Sequence, residues 1–216
     1  TEFEIDVDTS SYRLATRFAK FHNLTELTSL FSQIADFHQL DETNGIPEFD
    51  GYTDALIART PEFADYLKEI SHRADDVRQG LVQRTMDNML KITTDGRKAA
   101  LDLRLVSPNA GFTYQSKVAR CVENVFSIYQ KTSGTQLIFC DSSTPKAGFN
   151  VYDEIKGLLS YMGIPINEIA YVHDATTEAK RSKLFDMMRR GEIRVLIGST
   201  FKLGIGVNVQ DKLIAI

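Results

Sequence analysis

Arg194-Val-Leu-Ile-Gly-Ser-Thr200 opens the stretch of sequence that decides the fold, and Phe201-Lys-Leu-Gly-Ile-Gly-Val-Asn208 and Leu213-Ile-Ala-Ile216 complete it. This order predicts a β-strand, a glycine-rich loop and a second β-strand. Upstream, Tyr171-Val-His-Asp174 ends another predicted strand and is followed by a charged helix. Strands that alternate with helices and end in polar loops are typical of a parallel sheet whose loops bind anionic groups.

The same alternation extends back to residue 135. Gln136–Cys140 is a short apolar run without polar alternation, the pattern of a strand buried on both faces. The other predicted strands are Ile169–Val172, Ile193–Ile197 and Lys212–Ile216, and the predicted helices are Tyr152–Met162 and Ala175–Arg190. We therefore predict an α/β fold, a parallel sheet with flanking helices joined by right-handed crossovers.

The preceding residues favour helices. We predict a mostly helical region over residues 1–95, bridging helices over 96–134 and the α/β part over 135–216. In the first region, a capping box at Asn23–Glu26 opens a helix to about His38, and a loop over 41–52 and a short strand over Thr53–Ala58 follow. A second helix runs from Thr60-Pro61 to about Arg78, and a loop covers 81–94. The bridging helices are predicted from Gly96 to Val106 and over Tyr114–Lys131.

Composition excludes several classes of protein. The 216 residues contain 43% hydrophobic and 25% charged side chains, as in a globular protein, and no apolar run approaches the roughly 20 residues of a membrane helix. Two cysteines, Cys121 and Cys140, cannot form a disulfide framework, and no His/Cys spacing predicts zinc. We expect no metal site, no membrane partner and a cytoplasmic location.

Charge divides unevenly along the chain. Residues 1–95 hold 18 acidic and 9 basic side chains, a net charge of −9, whereas residues 96–216 hold 11 acidic and 16 basic ones, a net charge of +5. The basic half is compatible with a phosphate-bearing partner or with an ordinary solvated surface. The pairs Lys180-Arg181 and Arg189-Arg190 are interpreted mainly as a solvated helix face. Arg104 is expected to pair with acids of the N-terminal part.

Glycines 204 and 206 are alone a weak chemical signal that a plain turn also explains, and it is their context that strengthens it. Glycine after a strand lets the backbone approach a phosphate, and Ser199 and Thr200 stand where open parallel sheets bind ligands. The loop is not a Walker A motif, because no Gly-Lys-Ser/Thr follows, and it lacks the third glycine of a dinucleotide fingerprint.

A family resemblance joins these features. Ile197–Asn208 resembles motif V of superfamily 2 helicases, Gln136–Ser143 resembles motif IV, and Ala170–Asp174 resembles the unit between them. Arg97–Arg104 resembles the segment that leads into the second, RecA-like lobe of Swi/Snf-type motors. More loosely, the stretch from Tyr12 to Leu27 is similar to linking regions of bacterial helicases fused to DNA methyltransferases on mobile elements.

The resemblance implies roles for nine residues. Contact with DNA phosphates is implied for Ser142, Ser143, Lys146, His173, Thr200 and Lys202. A role in shaping the loop that faces ATP is implied for Gly204, Gly206 and Asn208. From the residues alone, the serines are equally compatible with a turn or helix cap, His173 with a surface loop, and Asn208 with stabilising its own turn.

The resemblance also implies what is missing. The sequence has no Walker A lysine and no Asp-Glu-x-His motif, and motif VI would follow Ile216. The chain begins with Thr and ends in a predicted strand, so we expect a piece of a longer bacterial helicase or translocase. ATP and Mg²⁺ would bind with the first motor lobe of the same polypeptide. We expect no catalytic residue, no cofactor and no ATP hydrolysis in these 216 residues alone.

Two other classes of function remain open. A parallel sheet with a glycine-rich loop also suits a stand-alone enzyme that binds a nucleotide or sugar nucleotide. Alternatively, the acidic helical part would dock a partner as a non-catalytic protein-interaction module. Micromolar binding of a nucleotide would favour the first, and protein binding that persists at high salt would favour the second.

Overall fold

The structure, a computed structural model, describes residues 2–5, 12–15, 22–35, 50–204 and 207–216. Its first elements are the strands β1 (Glu2–Ile5) and β2 (Tyr12–Ala15), which pair antiparallel. Helix α1 (Leu24–Phe31) follows. The N-terminal region therefore contains a strand pair as well as the predicted helices.

Helix α1 begins differently from the prediction. Asn23 has a left-handed backbone (φ 54°), and its side chain makes no capping bond to the helix. Instead its Nδ2 donates to the Glu26 carboxylate at 3.0 Å, so the predicted capping box is wrong. The helix ends at Phe31 rather than near His38, which lies outside the described residues.

Two longer helices come next. Helix α2 (Pro61–Arg78) begins as predicted, with the Thr60 hydroxyl accepting from the Phe63 amide at 3.2 Å. Helix α3 (Met89–Leu101) begins earlier than predicted, because Asn88 caps it through the Lys91 amide at 2.9 Å. Gly96 is inside this helix. The predicted strand over 53–58 is absent, and those residues have no pairing partner.

Helix α4 (Lys117–Lys131) leads into the α/β part, capped by the Ser116 hydroxyl. That part comprises β3 (Thr135–Phe139), α5 (Val151–Tyr161), β4 (Ile169–Tyr171), α6 (Glu178–Arg190), β5 (Val195–Gly198), α7 (Thr200–Leu203) and β6 (Leu213–Ala215). The four strands form an all-parallel sheet in the order β4-β5-β3-β6. The predicted α/β fold with a parallel sheet and flanking helices is confirmed.

Helices cover both faces of this sheet. On one face, α4 and α5 pack through residues such as Val122, Tyr152 and Leu159. On the other, α6 and α7 pack through Met188 and Leu203. Apolar side chains alternate between these two layers along β3, β4 and β5, which explains why these strands read as continuous apolar runs.

One arginine joins the bridging segment to the α/β part. Arg104 lies in a 3₁₀ turn (Leu103–Leu105) and donates to buried Asp102 at 2.8 Å and to Glu154 of α5 at 2.9 Å. Its guanidinium also lies 4.3 Å from the centre of the Phe149 ring. The expected pairing of Arg104 with N-terminal acids is therefore wrong, because its acceptors are its own neighbour and a helix of the sheet layer.

Two further properties bear on the site. Burial raises the pKa of both thiols, that of Cys121 to about 11, and each cysteine is free. Within the described ranges, no helix is both long and apolar enough to cross a membrane.

Candidate functional site at the carboxyl edge of the sheet

The carboxyl ends of β3, β4 and β5 meet at one edge of the sheet, because the strands are parallel and adjacent. The connection leaving β3 runs through α5 on one face, whereas the connection leaving β5 runs through α7 on the other. Neighbouring strands whose connections depart to opposite faces leave a crevice between their carboxyl ends. The candidate site is therefore the carboxyl-edge crevice, formed by residues 140–143, 172–174 and 199–204.

Asp141 joins the two sides of this crevice. Its carboxylate accepts from the Thr200 backbone amide at 2.7 Å and from the Thr200 hydroxyl at 2.8 Å. A carboxylate thus caps α7 from 59 positions away in sequence. Sequence reasoning missed Asp141, although an acidic residue directly after a buried strand was an available signal.

Thr200 is consequently engaged within the protein. Its amide and its hydroxyl proton are both donated to Asp141, so the hydroxyl offers only lone pairs to a ligand in this arrangement. A phosphate oxygen needs a donor. The implied contact between Thr200 and a phosphate therefore requires that the bond to Asp141 be exchanged.

A glycine lets β5 pass into α7. A Cβ atom on Gly198 would lie 2.5 Å from both the Leu203 and the Val172 side chains. The end of β5 therefore accepts no side chain while Leu203 stays buried. Gly204 is similarly constrained, since its Cβ would lie 2.5 Å from the Thr200 carbonyl oxygen. The tight turn around α7 depends on these two glycines.

His173 and Lys202 lie close enough to interact electrostatically. Burial lowers the pKa of the His173 imidazole, and the Lys202 ammonium lowers it further. The ring packs edge-on against Tyr152 with centroids 5.2 Å apart, and its buried Nδ1 has no hydrogen-bond partner among the described residues. His173 is therefore a neutral side chain near neutral pH, and Lys202 supplies the positive charge.

The loop after β3 is organised around the start of α5. The Ser143 hydroxyl accepts from the Val151 amide at 3.0 Å, and Ser143 has a left-handed backbone (φ 57°). Asn150 caps the same helix through the Asp153 amide at 2.9 Å and donates to the Lys146 carbonyl. Ser143 thus has the capping role that the sequence left open, while Lys146 is exposed.

Ser142 and Asn208 accept hydrogen bonds through their backbone carbonyls. The carbonyl of Ser142 accepts from the Cys140 thiol at 3.1 Å. Asn208 is exposed, and its carbonyl accepts from Arg189. Gly206 lies outside the described residues. Of the residues implied to contact DNA, the structure thus places five at one edge of the sheet: Ser142, Ser143, His173, Thr200 and Lys202.

The basic residues of α6 are not a purely solvated face, contrary to expectation. Arg181 donates to the Lys202 carbonyl at 3.0 Å, and Arg189 donates to the Asn208 carbonyl at 2.6 Å. Arg190 pairs with Glu192. Lys180 and Arg190 fit the solvated interpretation, as both are exposed.

In the portions of the chain that the structure describes, no group of three or more His, Cys, Asp or Glu side chains could hold a metal ion. The carboxyl-edge crevice instead combines the carboxylates of Asp141 and Asp174, the hydroxyls of residues 142, 143, 199 and 200, one neutral imidazole and the Lys202 ammonium. These groups can bind and orient a ligand, but they do not include an activated nucleophile.

No family model, curated protein or solved structure matches this chain.

Proposed function

We propose that the chain is part of an ATP-dependent DNA translocase or helicase, in which its α/β part is the second, RecA-like motor lobe. One observation carries the proposal: the segment after β5 lies at the surface in the carboxyl-edge crevice and presents Lys202 there. Loops at this edge can reach a partner lobe and a polynucleotide together. ATP and Mg²⁺ would bind between this lobe and the first motor lobe of the same polypeptide, in a bacterial cytoplasm.

DNA binding through this edge would be electrostatic. Lys202 and Lys146 are the cations of the two loops that flank the crevice, and neither ammonium forms an ion pair with another described residue. Contacts between lysine and phosphate position DNA without reading its sequence. We therefore propose weak dependence on sequence and strong dependence on salt concentration.

Lys202 is a better candidate for the phosphate contact than Thr200. Lys202 carries the positive charge of this segment, and its ammonium lowers the pKa of His173 while the Asp174 carboxylate raises it. Thr200 must first give up its bond to the Asp141 carboxylate, which also repels phosphate. Lys202 is accordingly the contact residue, and Asp141 and Thr200 set the start of α7.

The same crevice would serve a nucleotide-binding enzyme, but two features disfavour that role. The Asp141 carboxylate occupies the backbone donor at the start of α7, where a phosphate would otherwise be received. Cavities of about 90 Å³ and about 400 Å³ lie elsewhere, the first between residues 57–60 and the start of α4 and the second beside Arg73.

The test uses Lys202→Ala in the full-length polypeptide, with Lys131→Ala as the matched control. Lys131 is an exposed lysine at the end of α4, which precedes β3 and so lies at the amino edge of the sheet. We expect Lys202→Ala to reduce the slope of log affinity for duplex DNA against log salt by about 0.9, the value for one lost phosphate contact. DNA-stimulated ATP hydrolysis should fall in parallel.

The comparison of Lys202→Ala with Lys131→Ala also shows which result would contradict the proposal. If both lysine variants change the salt slope equally, or neither does, the carboxyl edge is not the DNA-binding face. If DNA fails to stimulate ATP hydrolysis and the 216-residue chain binds a mononucleotide at micromolar concentration, the enzyme alternative replaces the motor.

A further inference from the structure

Two arginines of α6 hold the two described ends of the glycine-rich segment, Lys202 and Asn208. Arg181 Nη2 lies 3.0 Å from the Lys202 carbonyl oxygen, and Arg189 Nη1 lies 2.6 Å from the Asn208 carbonyl oxygen. The arginines are eight positions apart on one helix, which corresponds to about 12 Å along its axis. One rigid element thus holds the segment at both ends.

The acceptors explain why arginine suits these positions. Lys202 belongs to the four-residue helix α7, whose last carbonyls have no partner within the helix. A cation beside these carbonyls supplies both a donor and a favourable interaction with the helix dipole. Asn208 follows the glycines and precedes the 3₁₀ turn before β6, so its carbonyl also lies outside regular structure.

Both guanidinium groups are held from a second side. Arg181 lies 6.0 Å from the centre of the Phe185 ring, and its Nε is buried without a partner among the described residues. Arg189 also pairs with the Asp186 carboxylate one turn earlier. The ring contact and the ion pair hold each guanidinium beside the segment, while the Arg181 Nε keeps an unpaired donor among the described residues.

We propose that Arg181 and Arg189 are positioning residues that fix the glycine-rich segment to α6, a role we call the α6 clamp. Because α6 follows β4 after one 3₁₀ turn, the clamp links β4 and α6 to Lys202 and Asn208. The clamp rests on the proposed function only in assigning the segment to DNA binding. Its geometric part applies to any ligand of the crevice.

The chain offers a matched control. Lys183 lies on the same helix, two positions from Arg181, and is exposed. Lys183→Gln removes the same charge as Arg181→Gln or Arg189→Gln without removing a bond to the segment. A purely electrostatic role for α6 predicts similar effects for all three variants, whereas the clamp predicts different ones.

The first measurement is amide hydrogen exchange in the 216-residue chain. The amides of Lys202, Leu203 and Gly204 are bonded within α7. In Arg181→Gln we expect them to exchange roughly three- to tenfold faster, the factor expected for losing one hydrogen bond. Lys183→Gln should stay within about twofold of the unmodified chain, and the core amides of Leu137 and Leu196 should be unaffected.

The second measurement separates the clamp from the proposed function. In the full-length polypeptide, Arg181→Gln with Arg189→Gln should lower the DNA-stimulated turnover rate about tenfold and leave the salt slope of DNA binding unchanged. A lower slope would make the arginines phosphate contacts and overturn the clamp. Equal exchange in Arg181→Gln and Lys183→Gln would also overturn it. Faster exchange without any DNA-stimulated activity would retain the clamp and reject the motor.

Discussion

The α2–α3 hairpin and the parallel sheet are stabilised by different interactions. In the hairpin the fully buried side chains are small or few, namely Ala74, Ile92 and Ala99. A charged cluster closes it: Arg73 lies 2.7 Å from Asp87 and 3.0 Å from Asp95. In the sheet, by contrast, β5 is buried on both faces. Ionic contacts therefore stabilise the hairpin, whereas apolar burial stabilises the sheet.

The net charge of residues 96–216 includes cations that the fold itself uses. The basic half of the chain uses many cations internally. Arg194, for example, lies 3.8 Å from the centre of the Tyr129 ring and donates to the Gly134 carbonyl. Arg104, Arg181 and Arg189 are similarly engaged. The charge of +5 thus overstates what the surface offers to DNA, and individual lysines at the crevice matter more than the total.

The largest effect should come from the sheet. Leu196→Ala removes a side chain with no exposed surface from the central strand β5, so the free energy of unfolding should fall by about 2–5 kcal/mol. Leu90→Ala, at an exposed position of α3, should change it by less than about 0.5 kcal/mol. Urea unfolding measures both. A small loss in Leu196→Ala would mean that apolar burial does not dominate the sheet.

A smaller effect is expected in the hairpin. Arg73→Gln leaves two partly buried carboxylates without their cation, so the free energy of unfolding should fall by about 1–3 kcal/mol. Lys68→Gln breaks the exposed pair with Asp65 and should cost at most about 0.5 kcal/mol. Urea unfolding compares the two variants. Equal losses would show that the Arg73 cluster contributes no more than a surface ion pair.

The smallest effect should be a pH dependence at the crevice. The pKa of His173 is lowered from its ordinary 6.5, so the folded protein binds this proton less readily than the unfolded chain does. Its contribution to stability is present above pH 6.5 and is lost as the pH falls through the lower folded-state pKa. His173→Asn should therefore lose less stability than the unmodified chain between pH 7.5 and 5.0, measured by urea unfolding. An identical loss in both would assign that pH dependence to other groups.

The sheet was predictable because its signals are local. The apolar run of β3 and the turn-forming residues around α5 fix strand and helix positions to within one or two residues. Thr60 and Pro61 likewise place the start of α2. Burial on both faces leaves these segments with one low-energy arrangement, so pattern and structure agree.

The features that the sequence did not predict depend on contacts between residues that are distant in sequence. Helix α3 carries Thr93, Thr94 and Gly96, which are weak helix formers, yet Asp95 binds Arg73 of α2 and holds the helix in place. The bond between Asp141 and Thr200 joins two strands through the fold. The bonds from α6 to the carbonyls of the glycine-rich segment join backbone to side chain, and no sequence pattern encodes a carbonyl acceptor.

The environment of the two thiols has a practical consequence. Burial keeps Cys121 and Cys140 as unreactive thiols near neutral pH, while Phe201 on α7 is 88% exposed. A fluorophore attached through Phe201→Cys would consequently mark a single position, beside Lys202, without removal of either natural cysteine. Such a label would report in real time when a polynucleotide or a partner lobe arrives at the carboxyl edge.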